Sequence, residues 1–167
     1  VVDGLINNAG YGVPGTLLSV PWSTHADFLR VLLWAPTELI YRLLPGMQAR
    51  GFGRIVNVAS LAGLVPGTAG HTLYGATKSY LVRFSQSLAQ EARPHGVHVT
   101  ALCPGFTFSE FHDVNGMRST VSKMPRFMWM DATTVARQAF EASERGELLA
   151  SGRCVSLSVS LSSAVVV

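Results

Sequence analysis

The stretch LYGATKSY, residues 73–80, places a tyrosine and a lysine, Tyr74 and Lys78, four positions apart. Side chains four apart on a helix share one face, so the Lys78 ammonium can lie beside the Tyr74 ring. A free phenol has a pKa of about 10, and a neighbouring cation lowers that pKa by stabilising the phenolate. A catalytic acid–base works best with a pKa near the working pH. The spacing also occurs by chance on many helices, so other residues must decide whether the pair is catalytic.

Strand and helix signals alternate along the chain around this pair. Apolar runs typical of buried strands occur at residues 1–7, 53–60 and 97–104. Longer apolar-periodic stretches predict helices at residues 24–50, 73–93 and 131–145. The alternation predicts an α/β fold in which crossover helices connect the strands of a parallel sheet.

Polar residues that favour the start of a helix occur at the N-terminal ends of the first and the last predicted helix. Ser23, Thr24 and Asp27 predict the start of the first helix, and Asp131 or Thr133 is the predicted cap of the last.

The two long helices are apolar on more than one face. In the first, one side carries Phe28, Val31, Leu32 and Ala35, and another carries Leu29, Leu33 and Ile40. A helix that is apolar nearly all round is buried on both sides. We therefore predict packing against the sheet and against another subunit, in a homo-dimer or homo-tetramer. The alternative is that part of this apolar surface is exposed.

The C-terminal end differs from the rest of the chain. VSLSVSLS, residues 155–162, alternates apolar residues with serines, the period of a half-buried strand. A terminus that does not fold is the alternative. We predict one domain over residues 1–150 and treat residues 151–167 as a terminal strand or a disordered tail.

Composition and charge exclude several function classes. The chain has 167 residues, a single-domain length, and a formal net charge of +3 without a run of basic residues, so we predict no nucleic-acid partner. No apolar run is long enough to span a membrane. Cys103 and Cys154 have no metal-ligand spacing and predict two reduced thiols in a cytoplasmic protein.

One glycine motif matches a dinucleotide-binding loop only in outline. Gly10, Gly12 and Gly15 have the spacing, but Pro14 and Pro21 leave no room for the helix that such a loop must open. We reject this motif.

Two other motifs are also incomplete. A hydrolase nucleophile elbow around Ser60 requires a glycine where Val58 stands. His95 and His98 are better explained by a turn leading into a strand than as metal ligands, so no metal site is predicted.

Tyr74 and Lys78 are accompanied by other residues at predicted strand ends. Ser60 ends a strand at the carboxyl edge of the sheet, where ligands of open α/β sheets bind, and the segments Asn8–Gly10 and Pro104–Gly105 end two others. The set NNAG, NVAS, YGATK and CPG, in that order, resembles the short-chain dehydrogenase/reductase family over residues 3 to about 145. The resemblance implies a Rossmann-like, doubly wound parallel sheet, of which this chain holds the C-terminal portion.

Members of that family bind NAD or NADP and move a hydride between nicotinamide and a carbonyl or alcohol carbon. By this resemblance Tyr74 is the general acid–base, Lys78 lowers its pKa and holds the nicotinamide ribose, and Ser60 hydrogen-bonds the substrate oxygen. The resemblance assigns the cofactor cleft to Asn8, Ala9, Gly10, Tyr74, Lys78, Pro104, Gly105, Thr107 and Ser109.

The chain departs from the family pattern in three places. The opening glycine-rich phosphate loop, which also selects between NAD and NADP, is not in the sequence, so we expect a fragment that binds cofactor poorly. Leu32 stands where the family usually has a catalytic asparagine, but Pro36 lacks an N–H and leaves the Leu32 carbonyl free to hold a proton-relaying water. Ser60 precedes the tyrosine by one residue more than is common, and we expect the loop PGTAGHT to absorb it.

Residues 106–130 are rich in methionine and phenylalanine. This composition predicts either an apolar substrate pocket or a lid helix that packs on the domain. The leading hypothesis is an NAD(P)-dependent oxidoreductase acting on a small carbonyl or alcohol. The alternative is a truncated, non-catalytic relative that keeps the dimer-forming helices as an interaction module.

Overall fold

Strands and helices alternate along the chain, as the apolar pattern predicts. The computed structural model describes residues 1–109, 111 and 124–151. In chain order the elements are β1 Gly4–Asn7, α1 Trp22–Leu29, α2 Ala35–Arg50, β2 Gly53–Val58, α3 Thr72–Ala92, β3 Val97–Cys103, β4 Phe106–Phe108, β5 Trp129–Asp131, α4 Ala132–Arg145 and β6 Leu149–Ser151. The α/β class is confirmed.

Four of the strands form one parallel sheet in the order β1-β2-β3-β6. Strands β4 and β5 form a separate parallel pair. The predicted alternating strand over residues 155–162 lies outside the described residues. Because the sheet strands are parallel, their carboxyl ends meet at one edge, and the residues that follow each strand come together there.

Helices cover both faces of the sheet. Ile55 of β2 packs on one face with Ile40 of α2 and Leu88 of α3. The next residue, Val56, points to the opposite face and packs with Val135 of α4. This layering is the doubly wound arrangement that the sequence predicts.

The first helix starts differently from the prediction. It begins directly after Pro21, whose carbonyl accepts the N–H of Thr24 at 3.0 Å, and no side chain caps it. Thr24 and Asp27 therefore lie inside the helix, where Asp27 pairs with Arg30 at 2.9 Å. The predicted start at Ser23, Thr24 or Asp27 was wrong, because the fixed φ of proline sets the entry and its carbonyl takes the first helical N–H.

The last helix has the predicted cap. The Asp131 carboxylate accepts the N–H of Thr134 at 3.0 Å, which satisfies one of the free amides at the start of α4.

The continuous helical segment formed by α1, the turn Arg30–Trp34 and α2 is buried on one face and exposed on the other. Phe28, Leu32 and Ile40 are each 1% exposed, whereas Trp34 and Tyr41 are 66% and 80% exposed. Burial against the domain is confirmed. Burial of the second face by another subunit stays a prediction.

A chain of buried hydrogen bonds joins β1, β2 and α3. Asn7 Nδ2 donates to Asn57 Oδ1 at 2.7 Å, Asn57 Nδ2 donates to Ser85 Oγ at 2.8 Å, and Ser85 donates to the Leu81 carbonyl at 2.7 Å. Asn57 and Ser85 are fully buried. Because no buried side-chain atom of Asn7, Asn57 or Ser85 lacks a partner, this series of hydrogen bonds fixes β1 and α3 relative to β2 without the cost of an unsatisfied buried group.

Candidate active site

A large cavity opens at the carboxyl edge of the sheet and continues along the sheet face beneath α4. Its volume is about 1490 Å³. The sequence-predicted residues that line it are Asn8, Gly10, Ser60, Tyr74, Lys78, Pro104, Gly105, Thr107 and Ser109. Ala9 lies between two of them, is exposed and is not part of the lining. One cavity therefore brings together all the predicted site residues except Ala9.

Lys78 joins α3 to the end of β2. Its Nζ donates to the Val58 carbonyl at 2.7 Å, and the residue is 5% exposed. Burial lowers the pKa of the Lys78 ammonium to about 8, because the charged form loses its hydration. The same nitrogen lies 5.7 Å from the centroid of the Tyr74 ring, within the range of a cation–π contact.

The Tyr74 phenol is hydrogen-bonded to Ser60. Burial raises the pKa of this phenol above its ordinary value, and the bond with Ser60 acts in the opposite direction with a smaller effect. The sequence expectation that Lys78 lowers this pKa stays a prediction. The Lys78 ammonium donates to the Val58 carbonyl, and the loss of hydration is the largest effect on the phenol.

A short 3-10 turn, Leu61–Gly63, holds Ser60 against α3. Ser60 Oγ accepts the N–H of Ala62 at 3.1 Å, and Ser79 Oγ donates to the Gly63 carbonyl at 2.7 Å. A Cβ added to Gly63 would lie 2.6 Å from the carbonyl carbon of Lys78, so only glycine allows this approach. The distance between Ser60 and the Tyr74–Lys78 face is thus set by a backbone contact.

Cys103 lies behind the site and is fully buried. Burial raises the pKa of its thiol to about 11, and the Ser60 N–H, which bonds to the thiol, opposes that rise. The Leu61 N–H also donates to the Pro104 carbonyl at 3.0 Å. These contacts tie the ends of β2 and β3 together beneath Ser60, a role that a lone cysteine in the sequence does not signal.

The regular α-helical hydrogen bonding is interrupted around Leu32, between α1 and α2. Residues Arg30–Trp34 form a π turn, in which the Ala35 N–H reaches back to the Arg30 carbonyl. Pro36 follows and has no N–H to donate. The irregularity lies where the sequence predicts a kink, and π turns are frequent at functional sites. A proton-relaying water on the Leu32 carbonyl stays a hypothesis.

His25 is a buried residue that the sequence analysis missed. It is 5% exposed, and its Nε2 lies 2.8 Å from the Leu17 carbonyl, so Nε2 carries the proton. Nδ1 is buried without a partner, and the ring lines a small second cavity with Thr72 and Tyr74. The histidine fixes the loop after β1 to α1, close to the start of α3.

The rejected motifs have structural explanations. Residues 10–15 open no helix, because α1 begins only at Trp22, which confirms that rejection. His98 bonds through Nδ1 to the Ser143 carbonyl at 2.9 Å. Within residues 1–109, 111 and 124–151, no group of three or more His, Cys, Asp or Glu is arranged to hold a metal ion. Over the same ranges, no helix has the length and apolarity to cross a membrane.

The contact at Gly63 can be tested against a matched glycine in the same loop. Gly63→Ala should lower the free energy of unfolding by about 1–3 kcal/mol, because the new methyl group forces the turn away from α3. At Gly67 an added Cβ meets nothing within 4 Å, so Gly67→Ala should change stability by about 0.5 kcal/mol or less. Urea unfolding followed by circular dichroism measures both. Equal effects of the two variants would contradict the contact.

The buried ammonium of Lys78 predicts a pH dependence of stability. Between pH 8 and 10.5 the folded chain has released the Lys78 proton while the unfolded chain still holds it. The stability of the wild type relative to Lys78→Met should therefore rise across this window, by up to about 3 kcal/mol, and stay constant below it. Urea unfolding of both proteins at pH 7 and pH 10 measures this difference in stability. All other titrating groups are present in both proteins, so their contributions cancel. A constant difference would contradict a depressed pKa.

Comparison with known proteins gives one family from both sequence and structure. Residues 1–117 match the family model described as short chain dehydrogenase. Ketoacyl reductase HetN of Nostoc sp. is 40% identical over 105 residues, which are 63% of this chain and 36% of that protein. The 3-oxoacyl-(acyl-carrier-protein) reductase FabG of Haemophilus influenzae is 31% identical over 147 residues, 86% of this chain and 60% of that protein.

The solved structures agree with these matches. A short-chain dehydrogenase from Sphingobium yanoikuyae in complex with NADPH has a TM-score of 0.80 at 30% identity, covering 89% of this chain and 56% of that chain. The chain spans between about one third and three fifths of the length of the two curated relatives. With the family model matching more than half of its residues, the chain belongs to the short-chain dehydrogenase family.

Proposed function

We propose that this chain carries the proton-transfer and nicotinamide-side residues of an NAD(P)-dependent oxidoreductase that interconverts a carbonyl and an alcohol. The observation that supports this most is the arrangement of three side chains at the carboxyl edge of a parallel sheet. The Tyr74 phenol is hydrogen-bonded to Ser60, and the buried Lys78 ammonium lies 5.7 Å from the phenol ring. That the Sphingobium relative was solved with NADPH supports a nicotinamide cofactor.

The donors in the cleft suit the nicotinamide end of such a cofactor. An ammonium has three N–H donors, and Lys78 uses one of them on the Val58 carbonyl, so two are free for the hydroxyl groups of a ribose. Asn8, Gly10 and Gly105 line the same cavity. A phosphate cradle at a helix N-terminus is not found among the described residues around the Gly10–Gly15 loop. The chain therefore fits the nicotinamide half better than the pyrophosphate.

In reduction, Tyr74 donates its phenolic proton to the substrate oxygen, which the Ser60 hydroxyl orients. Lys78 stabilises the phenolate that remains. A unit charge about 6 Å from the phenolate would be worth about 3 kcal/mol at an effective dielectric constant of about 20. Lowering a phenol pKa from about 10 to near 7 requires about 4 kcal/mol, and burial of Tyr74 adds to this requirement, so Lys78 alone does not supply the shift. A nicotinamide cofactor held in this cleft would supply the hydride, and its oxidised ring would add positive charge near the phenol.

The role of Tyr74 as proton donor is tested by removing its phenolic oxygen atom. Tyr74→Phe should lower kcat by about 10²–10⁴-fold, because it deletes the general acid while the ring still packs. Turnover is followed by NADPH absorbance with small ketones, in this chain or in any longer polypeptide that contains it, and NADPH affinity is measured separately by fluorescence.

Tyr80→Phe is the matched control for this variant. Tyr80 lies on the same helix, but its hydroxyl bonds to Thr37 Oγ1 at 2.8 Å and it does not line the cavity. We expect this control to keep its turnover. A Tyr74→Phe variant that retained more than a tenth of wild-type kcat would contradict the proposed role of Tyr74 as the proton donor.

The second candidate is a non-catalytic interaction module. The exposed side chains of Trp34, at the end of the π turn, and Tyr41, on α2, favour it, since aromatic residues are enriched at protein interfaces. A homo-dimer or homo-tetramer through this face is compatible with both candidates. Tyr74→Phe separates them. In an enzyme it should abolish a turnover that the wild type shows, whereas in an interaction module there is no turnover to lose and assembly, measured by sedimentation, should stay unchanged.

A further inference from the structure

We propose that His25 is a positioning residue for the cleft, because its hydrogen bond to the Leu17 carbonyl holds the loop Asn8–Leu17 in the place that cofactor binding requires. This role rests on the proposed function, since it concerns how tightly the site binds a nicotinamide cofactor. It follows from one buried face of the first helical segment and from the parts of the loop that this face contacts.

One face of α1 and the π turn holds this loop. His25, Phe28 and Leu32 are three and four residues apart, so they share one face of the helical segment, and none of them is more than 5% exposed. The Tyr11 ring packs edge-on against the Phe28 ring, with 5.6 Å between the centroids. A methyl group added at Gly10 would lie 3.7 Å from Leu32 Cγ, so the loop backbone runs close to that side chain.

The hydrogen bond of His25 is the directional contact on this face. Its Nε2–H donates to the Leu17 carbonyl at 2.8 Å, whereas Phe28 and Leu32 contact the loop through apolar atoms, and the hydrophobic effect has no direction. Nδ1 is buried without a hydrogen-bond partner, a cost that an apolar side chain in the same place would avoid. Proteins retain such costs mainly at functional sites, which supports a role for His25 beyond stability.

The loop connects this anchor to two parts of the site. Its first residues, Asn8, Gly10 and Gly12, line the large cavity that Tyr74 also lines. Its later part faces the first turn of α3 across the small second cavity, whose volume is about 10 Å³. That volume is about the space of one water molecule, so little room separates the loop from the helix. An anchor at Leu17 thus sets the distance between the loop and the helix that carries Tyr74.

A loop that is already in its binding position costs the cofactor no free energy to order. When only a fraction of the molecules has the loop in place, the observed affinity falls by that fraction. Leu17 is 44% exposed, so water can replace the imidazole as the partner of its carbonyl. Without the His25 donor the loop should leave its position more often. Cofactor binding should then weaken, while proton transfer by Tyr74 in the bound state should continue.

Removal of the donor tests this role in the full chain, or in any longer polypeptide that contains it. His25→Leu should weaken NADPH binding, measured by fluorescence, by about three- to tenfold, because one hydrogen bond is lost. At saturating NADPH, kcat with small ketones should change by less than about twofold, since bound cofactor keeps the loop in place. His25→Gln keeps an N–H donor at about the position of Nε2 and should restore most of the affinity.

His98→Leu is the matched control for a loss of stability that leaves the loop anchored. His98 also bonds to a backbone carbonyl, that of Ser143, at 2.9 Å, but it lies at the start of β3 and does not line the large cavity. This control should be less stable in urea than the wild type and should bind NADPH equally well. An unchanged NADPH affinity in His25→Leu, or an equal loss of affinity in His98→Leu, would overturn the proposal.

Limited proteolysis without cofactor measures the position of the loop directly. Chymotrypsin cleavage after Leu17 and Leu18 should become about three- to tenfold faster in His25→Leu, because cleavage follows the population of the loosened loop. An unchanged cleavage rate would overturn the anchoring by His25. If His25→Leu does not fold, His25→Asn replaces it, since its amide is too short to reach the carbonyl. A chain that shows this loosening but whose wild type neither binds NADPH nor reduces ketones would contradict the proposed function instead, so the two failures are distinguishable.

Discussion

The buried hydrogen bond between the Lys78 ammonium and the Val58 carbonyl is the contact on which the site depends. It joins α3 to the end of β2, and it fixes the charge beneath the Tyr74 ring. Burying an ammonium costs free energy, as the depression of the Lys78 pKa to about 8 shows. Proteins break local rules mainly at functional sites, so this buried charge supports the acid–base role proposed for Tyr74.

The neighbouring contacts keep that bond and the residues around it in one geometry. The Asn57 amide links β1 and α3 to β2 one residue before Val58. Gly63 brings the turn after Ser60 directly onto the backbone of α3. The Cys103 thiol, which is buried at the end of β3, accepts a hydrogen bond from the Ser60 N–H. Asn57 and Cys103 lie on strands and Lys78 lies on a long helix, and a site built on such elements is held more tightly than a site built on loops.

The sequence predicts the α/β order and the cavity residues well, because strand ends and helix spacing are local signals. The start of the first helix was missed, because Ser23, Thr24 and Asp27 look like capping residues while Pro21 sets the entry. The burial of Tyr74, which raises the pKa of its phenol, was also missed, because burial depends on tertiary structure. His25 carries no motif, and only its burial identifies it. Asn57 opens the NVAS motif, but only the fold shows that its amide joins β1 and α3 to β2. The cytoplasmic location, the oligomer and the C-terminal strand stay predictions.

The acid–base role proposed for Tyr74 requires positive charges beside its phenol, because they bring its pKa towards neutral pH. A ¹³C NMR titration of Cζ-labelled tyrosine, assigned with the Tyr74→Phe variant, measures the pKa of this phenol directly. We expect a value above that of free tyrosine in the chain alone, since burial dominates there. With NADP⁺ bound the value should fall by about 2 units or more, and with NADPH it should fall less, because the reduced ring is uncharged. The same pKa in all three states would contradict the account.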